Sequence, residues 1–214
     1  HSSAPTRLDL AGGTLDIWPL YLFHDSAQTL NAAISLRAHC TLSESDDDAL
    51  HIVSEDTGAA TRLARRSLLE APPEHRLVAR ILHFFKAERL TVRTRSASPV
   101  GAGLAGSSAL NIALCGALSC WHGRSFTPEA LIGLALNLEA QVIGVPTGTQ
   151  DYRPAVYGGI AAIEMGPESV TRVSLSVDPR ELEARAVLAY TGQSRDSGIN
   201  NWEVTKRHVD GDRE

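Results

Sequence analysis

The segment Ser98-Pro99-Val100-Gly101-Ala102-Gly103-Leu104-Ala105-Gly106-Ser107-Ser108 constrains this chain more than any other. It follows Leu90-Thr91-Val92-Arg93-Thr94, which alternates as a strand, and it runs into the Ala/Leu-rich stretch Ala109–Trp121, which reads as a helix. Glycines at 101, 103 and 106 allow close approach of backbone N–H groups, and the helix that follows offers the positive end of its dipole. Ser107 and Ser108 add hydroxyls able to bind a phosphate or join a Mg²⁺ shell. A plain glycine turn with a serine cap would also fit. Three glycines and two serines between a strand and a helix favour an anion site, with phosphate the expected ligand.

Three familiar phosphate loops can be tested against it. The segment matches GxGxxG, but a dinucleotide fold needs a second strand ending in an acidic residue about twenty positions on. Here the region after Gly106 reads as helix followed by helix. A Walker A loop fails because Ser107 stands where its lysine would be. A protein-kinase loop would require a strand-borne VAIK lysine, and none is visible nearby.

Around this loop the pattern is strands, then helices, then strands, an α+β arrangement. Arg7–Ala11 reads as a short strand closed by the turn at Gly12-Gly13, and Gln28–Ser43 as one long strand or two separated by a bend. Asp46-Asp47-Asp48 reads as a solvated hairpin tip before a strand at Leu50–Ser54. Leu77, Val78, Ile81, Leu82, Phe84 and Phe85 share one helical face, with Pro73 and Glu74 suited to the first turn. Thr127-Pro128-Glu129 starts a further helix, expected to reach Ile143 and stop at Gly144-Val145-Pro146. Strands are expected at Gly158–Glu164, Val170–Val177 and Ala186–Tyr190.

Composition excludes several classes. Apolar residues at 43% and charged residues at 21% describe a globular chain with enough length for a core. A formal charge of −5 without a basic stripe argues against nucleic acid, and no apolar run approaches the ~20 residues of a membrane span. Cys40, Cys115 and Cys120 form no disulfide framework and suggest a reducing compartment, with Cys115 a buried small hydrophobe. The eight histidines have no zinc spacing. His1-Ser2-Ser3, without an initiator Met, reads as a tag scar or a trimmed start.

Pro99–Ala109 resembles the ATP-binding motif of the galactokinase/homoserine kinase/mevalonate kinase/phosphomevalonate kinase (GHMP) superfamily. Ala4–Asp16 resembles its N-terminal substrate motif. Gly148-Thr149-Gln150-Asp151-Tyr152, with Gly158-Gly159 beyond, resembles its catalytic-Asp segment. Thr191-Gly192-Gln193-Ser194-Arg195-Asp196-Ser197 is similar to a string in the sugar-kinase branch that includes heptose 7-phosphate kinases.

The resemblance implies a GHMP kinase fold: residues 4–178 as an N-terminal domain like ribosomal protein S5 domain 2, and 184–214 as the start of a ferredoxin-like C-terminal domain. It implies Asp151 as catalytic base and Arg7 as the cation beside the acceptor hydroxyl; Arg7 shares a strand face with Asp9 and Ala11, and a surface Arg7 paired with Asp9 is the structural alternative. ATP would lie on Gly101, Gly103, Leu104, Gly106, Ser107 and Ser108, and Mg²⁺ on Ser108 and Glu139. Thr14, Asp16 and Gly148 would hold the acceptor. Gly12-Gly13 stands where the galactokinase-like pattern has Glu-His, which turns the expectation from galactose toward a heptose or heptose phosphate. Ile17–Tyr21 has the bulk to line that pocket, with core packing the favoured use.

The expected function is therefore an ATP-dependent, cytoplasmic sugar kinase with a small-molecule sugar or sugar phosphate as partner, no nucleic acid or membrane partner, and room for a homodimer. A non-catalytic nucleotide- or metabolite-binding protein on the same fold is the alternative, as is a kinase for mevalonate or fucose. The family's C-terminal glycine-rich motif is not found, so the chain is expected to be one nearly whole domain and the beginning of another.

Overall fold

The computed structural model describes residues 1–193 and 197–211. Its frame is a seven-stranded sheet built around one long strand. The strands are β1 (Ser2–Ala11), β2 (Gln28–Glu44), β3 (Leu50–Ser54), β4 (Ala60–Leu63), β5 (Leu90–Ser96), β6 (Ile160–Met165) and β7 (Val170–Ser174). The order is β4-β3-β5-β2-β6-β7, with β1 also paired to β2.

Residues Ala38–Cys40 pair with both β1 and β5, and Leu30–Ala32 with both β1 and β6. β1 therefore occupies one edge of β2, while β5 and β6 share the other edge at opposite ends. The sheet is antiparallel except for β3 beside β5.

Helices cover one face. They are α1 (Arg76–Phe85), α2 (Gly106–Trp121), α3 (Pro128–Ile143) and the short α4 (Tyr152–Tyr157), with α5 (Pro179–Glu183) and α6 (Ser197–Val209) beyond β7. Along β5, Leu90, Val92 and Thr94 are buried whereas Arg93 and Arg95 are exposed, the alternation of a sheet with one face wet. Leu50, Ile52, Leu90 and Val92 pack against Ile81, Leu82, Phe85, Leu114 and Leu118 in the main core. α2 is the central helix and is apolar nearly all round, as burial on several sides requires. Asn111 on α2 donates to the Ala135 carbonyl of α3 at 2.7 Å. Cys115 is a core residue whose thiol burial pushes up to about 12, consistent with an inert role.

The expected elements are present with shifted bounds. β1 begins five residues early, crossing Pro5 with a register shift between Pro5 and Arg7. α2 begins at Gly106, so Ser107 and Ser108 lie in its first turn. α3 matches its signals: Thr127 accepts from the Ala130 N–H, and Gly144 closes the helix at φ +75°. Phe84 lies at the edge of the α1 stripe and is exposed.

Three expectations fail. Asp46–Asp48 is not a hairpin tip, because β3 pairs with β4 and β5 and not with the preceding β2. β7 ends at Ser174, short of Val177. Ala186–Tyr190 forms no strand: among the described residues nothing pairs with it, and Val187 is 94% exposed. The short β4 and α4 were not anticipated. Of the heptose-branch string, Ser194, Arg195 and Asp196 lie outside the described residues. Among the described residues no helix is long and apolar enough to cross a membrane.

Candidate active site

Every residue assigned a site role above lines one cleft of about 770 Å³. Its floor is the loop between β5 and α2. Gly101 and Gly103 have φ of +70° and +76°, backbone that glycine adopts freely. Ala105, with φ +56°, holds the same left-handed region at a cost of about 1–2 kcal/mol, local strain of the kind found at ligand-gripping loops. At Gly106 a Cβ would come within 2.7 Å of Ser98 Oγ. The loop thus delivers the free N–H groups of the α2 N-terminus, and the Ser107 and Ser108 hydroxyls, to one side of the cleft.

Arg7 joins this loop to the opposite wall. Its backbone N–H donates to the Leu104 carbonyl (3.1 Å) and its Nη1 to the Gly103 carbonyl (2.8 Å). Nε and Nη2 both donate to Asp151 Oδ1, at 2.9 and 2.5 Å. Burial works against the guanidinium charge, but Asp151, with Asp9 and Asp16 behind it, outweighs burial and raises its pKa. The surface pairing of Arg7 with Asp9 does not occur. Arg7 is 8% exposed, and Asp9 accepts from Gln150 instead. Both bonds from Arg7 to Asp151 fall on one oxygen, which leaves the other without a hydrogen-bond partner among the described residues.

Glu139 rises from α3 against the first turn of α2. It accepts from Ser107 Oγ (2.7 Å), Ser108 Oγ (3.2 Å) and Tyr152 OH (2.6 Å). Burial raises its pKa against the opposing pull of those three hydroxyls. Tyr152 is fully buried, and burial followed by Glu139 drives its own pKa upward.

The third wall is the 3₁₀ turn Gly13–Asp16. Asp16 is buried and accepts from the Gln150 backbone N–H at 2.8 Å. Its carboxyl is pushed up to about 7, first by burial and then by Asp151. Gly148 pairs with Ile17 in an isolated bridge, and a Cβ there would lie 2.1 Å from Asp16 Oδ2. Gly12 has φ +90°, and a Cβ would lie 2.3 Å from the Gln28 carbonyl. No side chain fits at that position on this backbone. Of Ile17–Tyr21, Ile17 and Leu20 are buried, whereas Trp18 is 57% exposed.

Two participants were not singled out from sequence. Gln150 donates through Nε2 to Asp9 and to the Gly13 carbonyl, and Tyr152 holds Glu139. Their adjacency to Asp151 was the available signal.

Comparison with known proteins agrees with this fold. Residues 76–159, covering α1, the glycine loop and the Asp151 segment, match the family described as GHMP kinases N terminal domain. Over this region the chain is similar to a GHMP kinase N-terminal domain. The chain is 30% identical over 211 residues to the D-glycero-alpha-D-manno-heptose 7-phosphate kinase of Campylobacter jejuni, covering 92% of this chain and 61% of that one. It is 28% identical over 164 residues to the mevalonate kinase of Methanothermobacter thermautotrophicus, covering 76% and 50%. The crystal structure of a D-glycero-D-manno-heptose 1-phosphate kinase from Bacteroides thetaiotaomicron superposes with a TM-score of 0.75 at 26% identity, covering 85% of this chain and 61% of that one. The chain therefore spans less than two thirds of the length of these relatives. The sheet with helices on one face is the α+β GHMP kinase fold expected from the sequence.

Proposed function

We propose that the cleft is the site of an ATP-dependent phosphotransferase whose acceptor is a hydroxyl of a sugar or sugar phosphate, with a heptose 7-phosphate as the preferred class. One observation carries this reading: Arg7 bonds simultaneously to Asp151 and to the carbonyl of Gly103, placing an acid–cation pair at the edge of an anion-binding loop. Phosphoryl transfer needs positioning and charge neutralisation more than covalent chemistry. The loop and the α2 N-terminus receive the nucleotide phosphates. Asp16 and Thr14, with Gly148 allowing Asp16 its place, receive the acceptor.

Asp151 accepts the proton of the acceptor hydroxyl as its oxygen attacks the γ-phosphorus. The bond from that phosphorus to the bridging oxygen breaks, and ADP leaves. Arg7 faces the charge that develops between them.

Mg²⁺ fits the donor set, since Glu139 and Ser108 are hard oxygen donors side by side, and Glu139 is buried with only hydroxyl partners among the described residues. Bound there, it would neutralise charge on the nucleotide phosphates. Among the described residues no group of three acidic or soft ligands gathers at one point, so the phosphates would complete its shell.

The same reading takes residues 4–178 as the N-terminal domain and 184–214 as the start of a second, and it places the protein in the cytoplasm, where ATP is available. A heptose is preferred to galactose because Gly12-Gly13 stands where the galactokinase-like pattern has Glu-His, and a Cβ at Gly12 would lie 2.3 Å from the Gln28 carbonyl. The test is ATP consumption with Mg²⁺ against a panel of heptose 7-phosphate, galactose, fucose and mevalonate. Turnover on the heptose phosphate above the others is expected; turnover on mevalonate alone would reverse the substrate assignment, and nucleotide binding without turnover would favour a binding protein.

A further inference from the structure

We propose that Gln150 is a positioning residue that clamps the Gly13–Asp16 turn to the Asp151 loop and so sets where the acceptor hydroxyl lies. The inference rests on the reading of this cleft as a phosphoryl-transfer site, and it adds a residue to which neither the motif nor the fold assigns a role.

Adjacent residues of one loop grip alternate residues of β1. Asp151 holds Arg7, while Gln150 Nε2 holds Asp9 Oδ2 at 3.2 Å. The same nitrogen donates to the Gly13 carbonyl at 2.9 Å, and the Gln150 backbone N–H donates to Asp16 Oδ2 at 2.8 Å. One residue therefore reaches the first and the last residue of the acceptor turn, and the strand carrying Arg7. Two acceptors around Nε2 fix which way the amide points. That orientation leaves Oε1 buried without a partner among the described residues. A buried orphan acceptor is costly, and a Leu or Met would fill the volume without it. The two donated bonds are what the amide contributes that an apolar side chain cannot. None of these contacts reaches the Gly101–Ser108 loop, so the clamp acts on the acceptor side of the cleft.

Two variants separate the clamp from simple packing. Gln150→Met keeps the bulk and the backbone N–H but removes both side-chain donors. Gln150→Glu keeps the shape and turns an acceptor toward the Gly13 carbonyl and the Asp9 carboxylate, with Asp16 and Asp151 close by.

In Gln150→Met, amide hydrogen exchange should rise by about tenfold or more across residues 13–17 and stay unchanged in α1 and β5, as expected for losing two bonds, one of them to a carboxylate. The acceptor kcat/KM should fall by roughly 10- to 100-fold while the KM for ATP stays within about twofold, with Gln150→Glu the more impaired. Unchanged exchange at 13–17 overturns the clamp. Equal losses for ATP and acceptor, tracking a lowered melting temperature, would make Gln150 a packing residue. A parent protein that transfers phosphate to no acceptor of the panel, mevalonate included, contradicts the phosphoryl-transfer reading instead, and the exchange measurement still decides the clamp.

Discussion

Replacing Asp16 with Asn should make this protein more stable at neutral pH and less able to hold its acceptor. Asp16 is 3% exposed, and its carboxyl is pushed from 3.8 to about 7, by burial first and Asp151 second, with Asp9 adding; the Gln150 N–H and Arg7 only partly offset this. Between those two values the folded protein holds a proton that the unfolded chain has released. Folding stability therefore falls as pH rises through that window, and the whole cost is present above about pH 7. At 1.36 kcal/mol for each tenfold change in proton affinity, the ceiling is about 4 kcal/mol. Relaxation around the ionised carboxylate would reduce it to roughly 1–3 kcal/mol. An Asn can keep its carbonyl on the Gln150 N–H and carries no charge to desolvate.

Urea denaturation of the parent and of Asp16→Asn from pH 4.5 to 8.5 should give curves that meet at the acid end and separate by that amount at pH 8. For a chain of this length, the separation corresponds to a melting temperature higher by about 2–10 °C. The same variant should lose acceptor affinity, the exchange of stability for function expected of a buried binding carboxylate. An Asp16→Asn protein less stable than the parent at pH 8, or an offset that does not change with pH, would refute the reasoning.

Arg7→Lys keeps the charge but cannot reach Asp151 and the Gly103 carbonyl with the same fork, so the transfer rate should drop by roughly 10²- to 10³-fold in a steady-state assay; a change under threefold would contradict the role given to the fork. Gly148→Ala places a Cβ 2.1 Å from Asp16 Oδ2, so thermal melts should show a loss of about 1–3 kcal/mol, accompanied by a raised acceptor KM; an unchanged melt and KM would mean that this packing is softer than described.

The legible parts of the fold were those with local causes. α1 followed from its apolar period, α3 from its cap and its terminal glycine, and the loop between β5 and α2 from its three glycines, of which Gly101 and Gly103 take a left-handed backbone. β4 was missed because Ala60–Leu63 is short and half polar, with its pairing to β3 the only reason it is a strand. α4 was missed because six residues with a central proline carry no period. Ala186–Tyr190 was misread for the reverse reason: it has strand composition and no neighbour to pair with among the described residues.

In the site, the motif residues were named, and all of them line the one cleft, but the links between them were not readable. Arg7 to Asp151 and Gln150 to Asp16 close over 144 and 134 residues of chain, and no local pattern encodes such a contact. Nor does sequence predict that Tyr152 turns inward to Glu139 while its neighbour Asp151 turns to Arg7.

The central claim is that Asp151, held by Arg7 beside the glycine loop, performs transfer without binding the nucleotide. Its most direct test is Asp151→Asn, which is nearly isosteric, assayed for phosphate transfer from γ-labelled ATP to heptose 7-phosphate alongside ATP affinity by calorimetry. Loss of a positioned base and of its pairing with Arg7 should lower transfer by about 10³-fold or more with ATP affinity within roughly threefold. Undiminished transfer, or an equal loss of ATP binding, would contradict the account.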